Sequence, residues 1–250
     1  EGGIQIGEYT IKGKSKETIL LPIHLDHPKQ ANDNLSGVAV AIVLSQLIQN
    51  PRYTYKFLFL PETIGTMAYL SKFGFKDIKF GIVIDSVGGD GELVTTLPMS
   101  ESLLPLYVEG KTNLFLSDEH LWSGNDERSL ESVGIPSIQI SRSPFLEYHT
   151  EKDTPDRIID ESLHNTVCYA LRLINRIEAD YIPKPKYKGV PCLSACGLWA
   201  KEYGSPHTFM KVERIWLMLH YNLHISQIAK FTNNSFEFVV DFIKKLKSKG

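Results

Sequence analysis

The sequence predicts an α/β protein, a three-layer αβα sandwich on a mostly parallel mixed sheet, followed by a small C-terminal module of winged-helix type. Three observations predict it. Short apolar runs alternate with helical patterns over the first 180 residues, a Pro- and Lys-rich stretch interrupts the chain at 181–191, and three helix-like segments follow. Alternation of this kind points to parallel pairing, because a parallel neighbour needs a crossover long enough to hold a helix.

Residues 17–24 (ETILLPIH), 54–60 (TYKFLFL), 80–85 (FGIVID) and 137–141 (SIQIS) are apolar runs bounded by turn residues, the pattern of strands buried on both faces. Helical patterns occupy 36–48 (SGVAVAIVLSQLI), 66–73 (TMAYLSKF) and 157–177 (RIIDESLHNTVCYALRLINRI). The linker composition of YIPKPKYKGVP sets a boundary between a domain at 1–181 and a module at 182–250. In that module, segments near 210–220, 225–231 and 235–248 have helix-turn-helix spacing, the last two parted by the polar turn TNNS.

Composition is that of an ordinary folded domain, 42% hydrophobic and 22% charged. No apolar run reaches the roughly 18 residues of a bilayer span, and no signal core opens the chain, so neither a membrane nor export is expected. Cys168, Cys192 and Cys196 form no disulfide framework and no zinc-ribbon pair, as in a cytoplasmic protein; Cys192 and Cys196 could share a helical face or bind metal, but read first as buried small hydrophobes. The chain opens on Glu1 rather than Met, as a piece of a longer protein would.

Charge divides the chain as well. Residues 181–250 hold 11 Lys+Arg against 4 Asp+Glu, leaving an acidic body with 16 against 25. A basic tail raises the question of an anionic partner. Yet the presumed recognition helix from Ser235 is mostly apolar and carries Glu237 and Asp241, while Lys244, Lys245, Lys247 and Lys249 gather at its last turn. Packing against the first domain or a second subunit, in a homo-oligomer, is the stronger expectation than binding nucleic acid.

Functional residues of open α/β sheets gather past the carboxyl ends of strands. Four polar clusters fall there: HLDHP at 24–28, PETIG at 61–65, DSVGGDG at 85–91 and YHTEKD at 148–153. His24 is a candidate ligand, with Asp26 placed to accept its second ring proton. Asp33 stands at the centre of NDN just before the helix start at Ser36 and Gly37, where a carboxylate can bridge two cations. The GGDG of residues 88–91 lacks the dinucleotide-binding form and reads as a turn.

The ordered set of HxD, [DN]-D-[DN]-x-S-G, Glu before x-x-Gly, a strand-end Asp and YHTxxD resembles the co-catalytic zinc aminopeptidases and glutamate carboxypeptidases, which have a phosphorylase/hydrolase-like fold. HPxxANDNLSGVAVA, PETIG, NDER and YHTEKDT more closely resemble the aminopeptidase-like proteins of bacterial polysaccharide biosynthesis, which carry a C-terminal winged helix. The resemblance implies one zinc held by His24, Asp33 and Asp85, and a second held by Asp33, position 63 and His149, with Glu62 as general base. Position 63 departs from the pattern: it is Thr63 where the family has Glu, so the second zinc should be weak, absent, or completed by another residue such as His27.

One three-ligand site with an open position suffices for amide hydrolysis, of a small peptide or of an acylated amino sugar. The resemblance also sets Asn125, Asp126, Glu127, Arg128 and Tyr148 beside the substrate, the acids suited to an ammonium and Arg128 to a carboxylate or phosphate. Blander readings stand beside these. Glu62 could cap the helix that follows it, Asp153 and Asp156 read as caps of the helix at 157–177, and His120, His164, His207, His220 and His224 read as structural. Thr63 could mark a decayed metal site in a non-enzymatic protein whose winged helix binds nucleic acid or a protein partner.

Overall fold

The computed structural model describes residues 2–114, 125–195, 198 and 206–249, without the side chains at 206–209, 211 and 249. Strand β1 (Gly7–Ile11) is followed by β2 (Thr18–His24), helix α1 (Gly37–Leu47), β3 (Thr54–Leu60), α2 (Ile64–Phe73), β4 (Ile78–Ile84), β5 (Glu92–Leu97), β6 (Lys111–Leu114), α3 (Asp126–Glu131), β7 (Ser137–Ser143) and α4 (Asp160–Ala179). Helices α5 (Pro206–Met218), α6 (Ile225–Thr232) and α7 (Phe236–Lys249) come last. The chain divides into two compact units, 1–178 and 179–250.

The strands form one sheet in the order β1-β3-β2-β4-β7-β5-β6. Its centre is parallel, β3 to β2 to β4 to β7, while β1 and β5 run antiparallel to their neighbours β3 and β7. This is the mixed, mostly parallel α/β sheet that the sequence predicts. All seven residues of TILLPIH are buried, and they alternate between two cores. Ile19, Leu21 and Ile23 pack with α1 and α4 residues such as Val40, Leu44, Tyr169 and Leu173. Leu20 packs with Tyr69 and Leu70 of α2 and Leu130 of α3 on the other face. Helices on both faces produce the three layers.

Strand order reverses at β2. The chain leaves β2 for β3 on one side, then crosses back from β3 to β4 on the other, so the carboxyl ends of β2 and β4 flank the crevice where such sheets bind ligands.

Three strands and one helix escape the sequence reading: β1 and β6 are largely exposed, β5 is the Thr-rich run ELVTTL, and α3 is six residues long. Edge strands need no continuous apolar run, because much of their surface meets water. Thr95 of β5 is instead held by a hydrogen bond to the Tyr169 hydroxyl at 2.6 Å. The long helix begins at Asp160 rather than residue 157, with Pro155–Arg157 forming a separate 3-10 turn.

In the second unit, α5 to α7 bury Val212, Ile215, Trp216, Ile228, Phe236, Val239 and Phe242 among themselves. His224 caps α6, its side chain meeting the first-turn backbone while the Gln227 side chain reaches back to the His224 N–H. It also has an acidic partner that the sequence spacing hides, Asp180 at 3.2 Å. Among the described residues 179–250 no strand occurs, so the wing of the expected winged helix has no counterpart there. Cys192 is exposed, against the expectation of a buried cysteine, and Cys168 is half-buried; Cys196 and His120 lie outside the described residues, as does the His207 side chain. No helix among the described residues is long and apolar enough to cross a membrane.

The loop into α1 is fixed by close approach. Asn34 donates from its side-chain amide to the Ile84 carbonyl, and its oxygen accepts the N–H groups of Gly37 and Ser86. A Cβ at Gly37 would stand 2.5 Å from the Ile84 carbonyl oxygen and press on the Asn34 side chain. Gly37→Ala should therefore cost about 1–3 kcal/mol of unfolding free energy, the usual range for overpacking; denaturant titration checks this, and an unchanged midpoint would contradict the packing described.

Candidate metal centre

Four loops at the carboxyl end of the parallel strands deliver the residues. His24 ends β2, Asp85 follows β4 directly, Glu62 follows β3 by two residues, and His149 lies in the loop after β7. Asp33 comes from the loop between β2 and α1. His24, Asp33, Asp85 and His149 do converge, around the Asp33 carboxylate.

Asp33 is almost completely buried and meets three imidazoles. His24 Nε2 lies 2.7 Å from Oδ1, His27 Nδ1 3.1 Å from Oδ1, and His149 Nε2 3.1 Å from Oδ2. Asp85 brings its Oδ1 to 3.9 Å from His24 Nε2. Two groups therefore offer ligand atoms within 4.8 Å of one another and share Asp33: His24, Asp33 and Asp85, and His27, Asp33 and His149.

Backbone and buried side chains hold these donors in place. The Asp153 carboxylate accepts the N–H groups of Asn32 and Asp33 at 2.7 and 3.0 Å, which anchors the loop bearing Asp33. This replaces the expected role of Asp153 as a helix cap; Asp156 lies in the 3-10 turn, several residues before α4. Asp85 accepts from the Ser86 hydroxyl and from the Gln139 amide of β7. His24 presents its other nitrogen, Nδ1, to the Asn125 side-chain amide at 3.1 Å.

Asp26 does not take the expected place beside that nitrogen. Its carboxylate accepts the Glu62 N–H at 3.1 Å, so it positions the candidate base rather than the imidazole. The Glu62 carboxylate lies 3.7 Å from His27 Nε2. Thr63, at a left-handed φ of 60°, gives its N–H to Asp126.

Electrostatics follow from burial of so many acids. Burial pulls His24 towards the neutral form, but the Asp33 hydrogen bond and the Asp85 and Glu62 charges hold its pKa up to about 10. Burial raises Asp85 and Glu62; Asp33 is opposed by burial yet lowered by His24 and His27. The centre calls for positive charge, and His24 carries it as a proton when no cation does.

A divalent cation fits this donor set. Asp33 Oδ2 and His27 Nδ1 are buried without a hydrogen-bond partner, an arrangement that normally costs free energy unless something fills it. Imidazole nitrogens and carboxylate oxygens are ordinary zinc ligands, and the group is reached from solvent on the side of His149 and His27, which are partly exposed.

The expected substrate residues separate into two pairs. Asp126 and Glu127 are buried at 0% and 1% exposure, Asp126 bonded to the Thr63 N–H and Glu127 to the Asn125 N–H, so their carboxylates serve the scaffold. Arg128 and Tyr148 are exposed. The Tyr148 ring stacks on His149 at 3.8 Å, and its hydroxyl is pushed up to about 12 by burial and by the Asp33, Asp85 and Glu62 charges. Sequence reasoning missed the supporting roles of Asn125, Gln139 and Asp153. Asn125 carried a signal as the first residue of NDER, and Asp153 as the last of the His-Thr-x-x-Asp run; Gln139 carried none.

Comparison with known proteins agrees with the fold. A family model described as a domain of unknown function (DUF4910) matches residues 1–180. A protein of Clostridium acetobutylicum, named for polysaccharide biosynthesis and an aminopeptidase-like domain, is 33% identical over 192 residues, which is 71% of this chain and 44% of that protein. A crystal structure named for a peptidase, also from Clostridium acetobutylicum, superimposes with a TM-score of 0.79 at 26% identity, covering 97% of this chain and 58% of the other. A zinc aminopeptidase from Bacillus subtilis shares the fold, with a TM-score of 0.57 at 17% identity over 69% of this chain and 49% of its own. The chain thus spans less than half the length of the curated relative, and it has the fold of the aminopeptidase-like hydrolases with candidate metal-binding residues at the strand ends.

Burial pushes the Glu127 carboxyl up to about 8, with the Asp85 charge adding to the rise. An unfolded Glu titrates near ~4.3. The folded chain therefore binds this proton more tightly, and its contribution to stability falls as pH rises between those values. Glu127→Gln removes that slope. In metal-free protein the melting temperature of the variant should gain on that of the wild type from pH 5 to pH 9; parallel profiles would contradict the assignment.

Proposed function

The chain belongs to the DUF4910 family, and from the residues gathered at its sheet edge we propose that it is a zinc-dependent hydrolase of amide bonds with aminopeptidase-like chemistry. One observation carries the reading: His24 from the end of β2, Asp33 from the loop after it and Asp85 from the end of β4 offer ligand atoms within 4.8 Å of one another in a buried centre beside the Glu62 carboxylate.

His24, Asp33 and Asp85 would hold the zinc. When bound it supplies Lewis acidity, polarising the scissile carbonyl and making a water acidic near neutral pH. Glu62 takes the water proton and returns it to the leaving amine, a task suited to a carboxyl that burial raises towards neutrality. Asp26 steadies that base through the Glu62 N–H, and Asp153 keeps Asp33 in register through two backbone N–H groups. Tyr148, stacked on His149, and exposed Arg128 contact the substrate, Arg128 taking an anionic group.

The substrate is a small peptide losing its N-terminal residue or an amino sugar losing its acyl group. The name of the Clostridium relative supports the sugar-linked version and a role in polysaccharide biosynthesis.

Two measurements test this. Purified chain dialysed against metal-free buffer should retain zinc, and His24→Ala should lose it; protein that never holds zinc contradicts the proposal. Glu62→Gln should keep the zinc and lower kcat by about 100- to 10,000-fold, the usual contribution of a general base. An unaltered kcat removes Glu62 from the mechanism.

A further inference from the structure

At the opposite end of the sheet, around Thr18, Thr54 and Ile78, the first residues of β2, β3 and β4, lies a groove of about 690 Å³. Seven-residue strands part it from the candidate metal centre, a length of roughly 20 Å. Two kinds of side chain make its walls. Lys12, Lys16, Lys56 and Lys76 bring charge, and Tyr69, Phe73 and Phe75 bring rings.

The charge is only partly compensated. Lys56 is paired with Glu8, and the neighbouring Lys79 with Glu17. Lys12, Lys16 and Lys76 are exposed and have no acidic partner among the described residues, while Asp77 is the one acid lining the groove. This basic patch interrupts a body that is otherwise acidic, with 16 Lys+Arg against 25 Asp+Glu over residues 1–180.

The rings form a row at the end of α2. Phe73 and Phe75 flank Gly74 and are 62% and 42% exposed. Phe73 lies 4.8 Å from the Tyr69 ring, and the Tyr69 hydroxyl is fixed by accepting from Lys56 and donating to Glu8. One ring is thus anchored and two are offered to solvent, where adjacent apolar surface marks a place for a partner. A ligand that suits the groove has apolar faces for the rings and negative charge for the lysines. A sugar chain with acidic groups has both: the C–H face of each sugar lies on an aromatic ring while its substituents reach outward. Nucleic acid also has both, but it carries one charge per nucleotide on each strand, and its binding depends on many phosphate contacts that an acidic body opposes.

We propose that this groove binds an acidic polysaccharide strand, with Phe73 and Phe75 beneath its sugars and Lys12, Lys16 and Lys76 on its acidic groups. The site lies apart from the proposed metal centre and holds the polymer without acting on it, so it does not depend on the hydrolase reading.

Isothermal titration calorimetry of the full chain with oligogalacturonate, which bears a carboxylate on each sugar, tests this. Wild type should bind it, less tightly as salt is raised, and should bind a neutral glucan oligosaccharide about tenfold more weakly or not at all. Lys12→Glu combined with Lys76→Glu should weaken binding about tenfold or more and leave the melting temperature and zinc content unchanged; Phe73→Ala should weaken binding to a similar degree. Should Phe73→Ala fail to fold, Phe75→Ala must show the same loss. Glu62→Gln should bind as wild type does, so the groove and the hydrolase reading fail separately. Absence of binding by wild type, equal binding of the neutral glucan, tighter binding of oligothymidylate, unaltered binding by the groove variants, or loss of binding in Glu62→Gln would each overturn the proposal.

Discussion

A carboxylate with about 1% of its surface exposed needs positive charge around it, and at Asp33 three imidazoles provide the contacts. Burial alone would drive the carboxyl to its neutral form; the His24 hydrogen bond reverses that and keeps it ionised. The same constraint explains the layout of the surrounding loops. Asp153 fixes the Asp33 backbone, Asn34 locks the turn into α1 against the end of β4, and Asn125 closes the remaining side of His24. The supports come from separate loops, so the centre depends on the assembled sheet.

That dependence links fold and chemistry. The reversal of strand order at β2 sets β2 and β4 side by side with their loops diverging above them, and His24 and Asp85 stand on the two rims of the opening. Residues of the α2 and α3 side then enclose it. Thr63 and Asp126 are tied to each other across the gap between α2 and α3, which brings Glu62 over the centre. The acids beneath, Asp126 and Glu127, are raised to about 6 and about 8 by burial, so at neutral pH Glu127 mostly keeps its proton and adds little to the negative charge of the centre.

The central strands were legible in the sequence because a parallel strand covered on both faces must be apolar along its whole length, as TILLPIH and FGIVI are. Strands β1, β5 and β6 were not, since their stability comes from pairing and from contacts such as Thr95 with Tyr169 that leave no periodic trace. At the site, His24, Asp33, Asp85, His149 and Glu62 could be read from their clusters at strand ends. Their supports could not. Asp26 looks from its spacing like a partner of His24, yet the turn after β2 carries it to the Glu62 N–H. Asp126 and Glu127 stand beside the substrate in the family resemblance, but α3 packs inward and buries them. Spacing along the chain reports what one element presents; it does not report which neighbour arrives from 100 residues away.

Anomalous diffraction from crystals of the zinc-loaded chain, collected on both sides of the zinc absorption edge, tests the central claim most directly. A peak about 2.0–2.2 Å from His24 Nε2 and from oxygens of Asp33 and Asp85 is the expected result. A map without zinc there, with His24 still hydrogen-bonded to Asp33 across a closed centre, would contradict it.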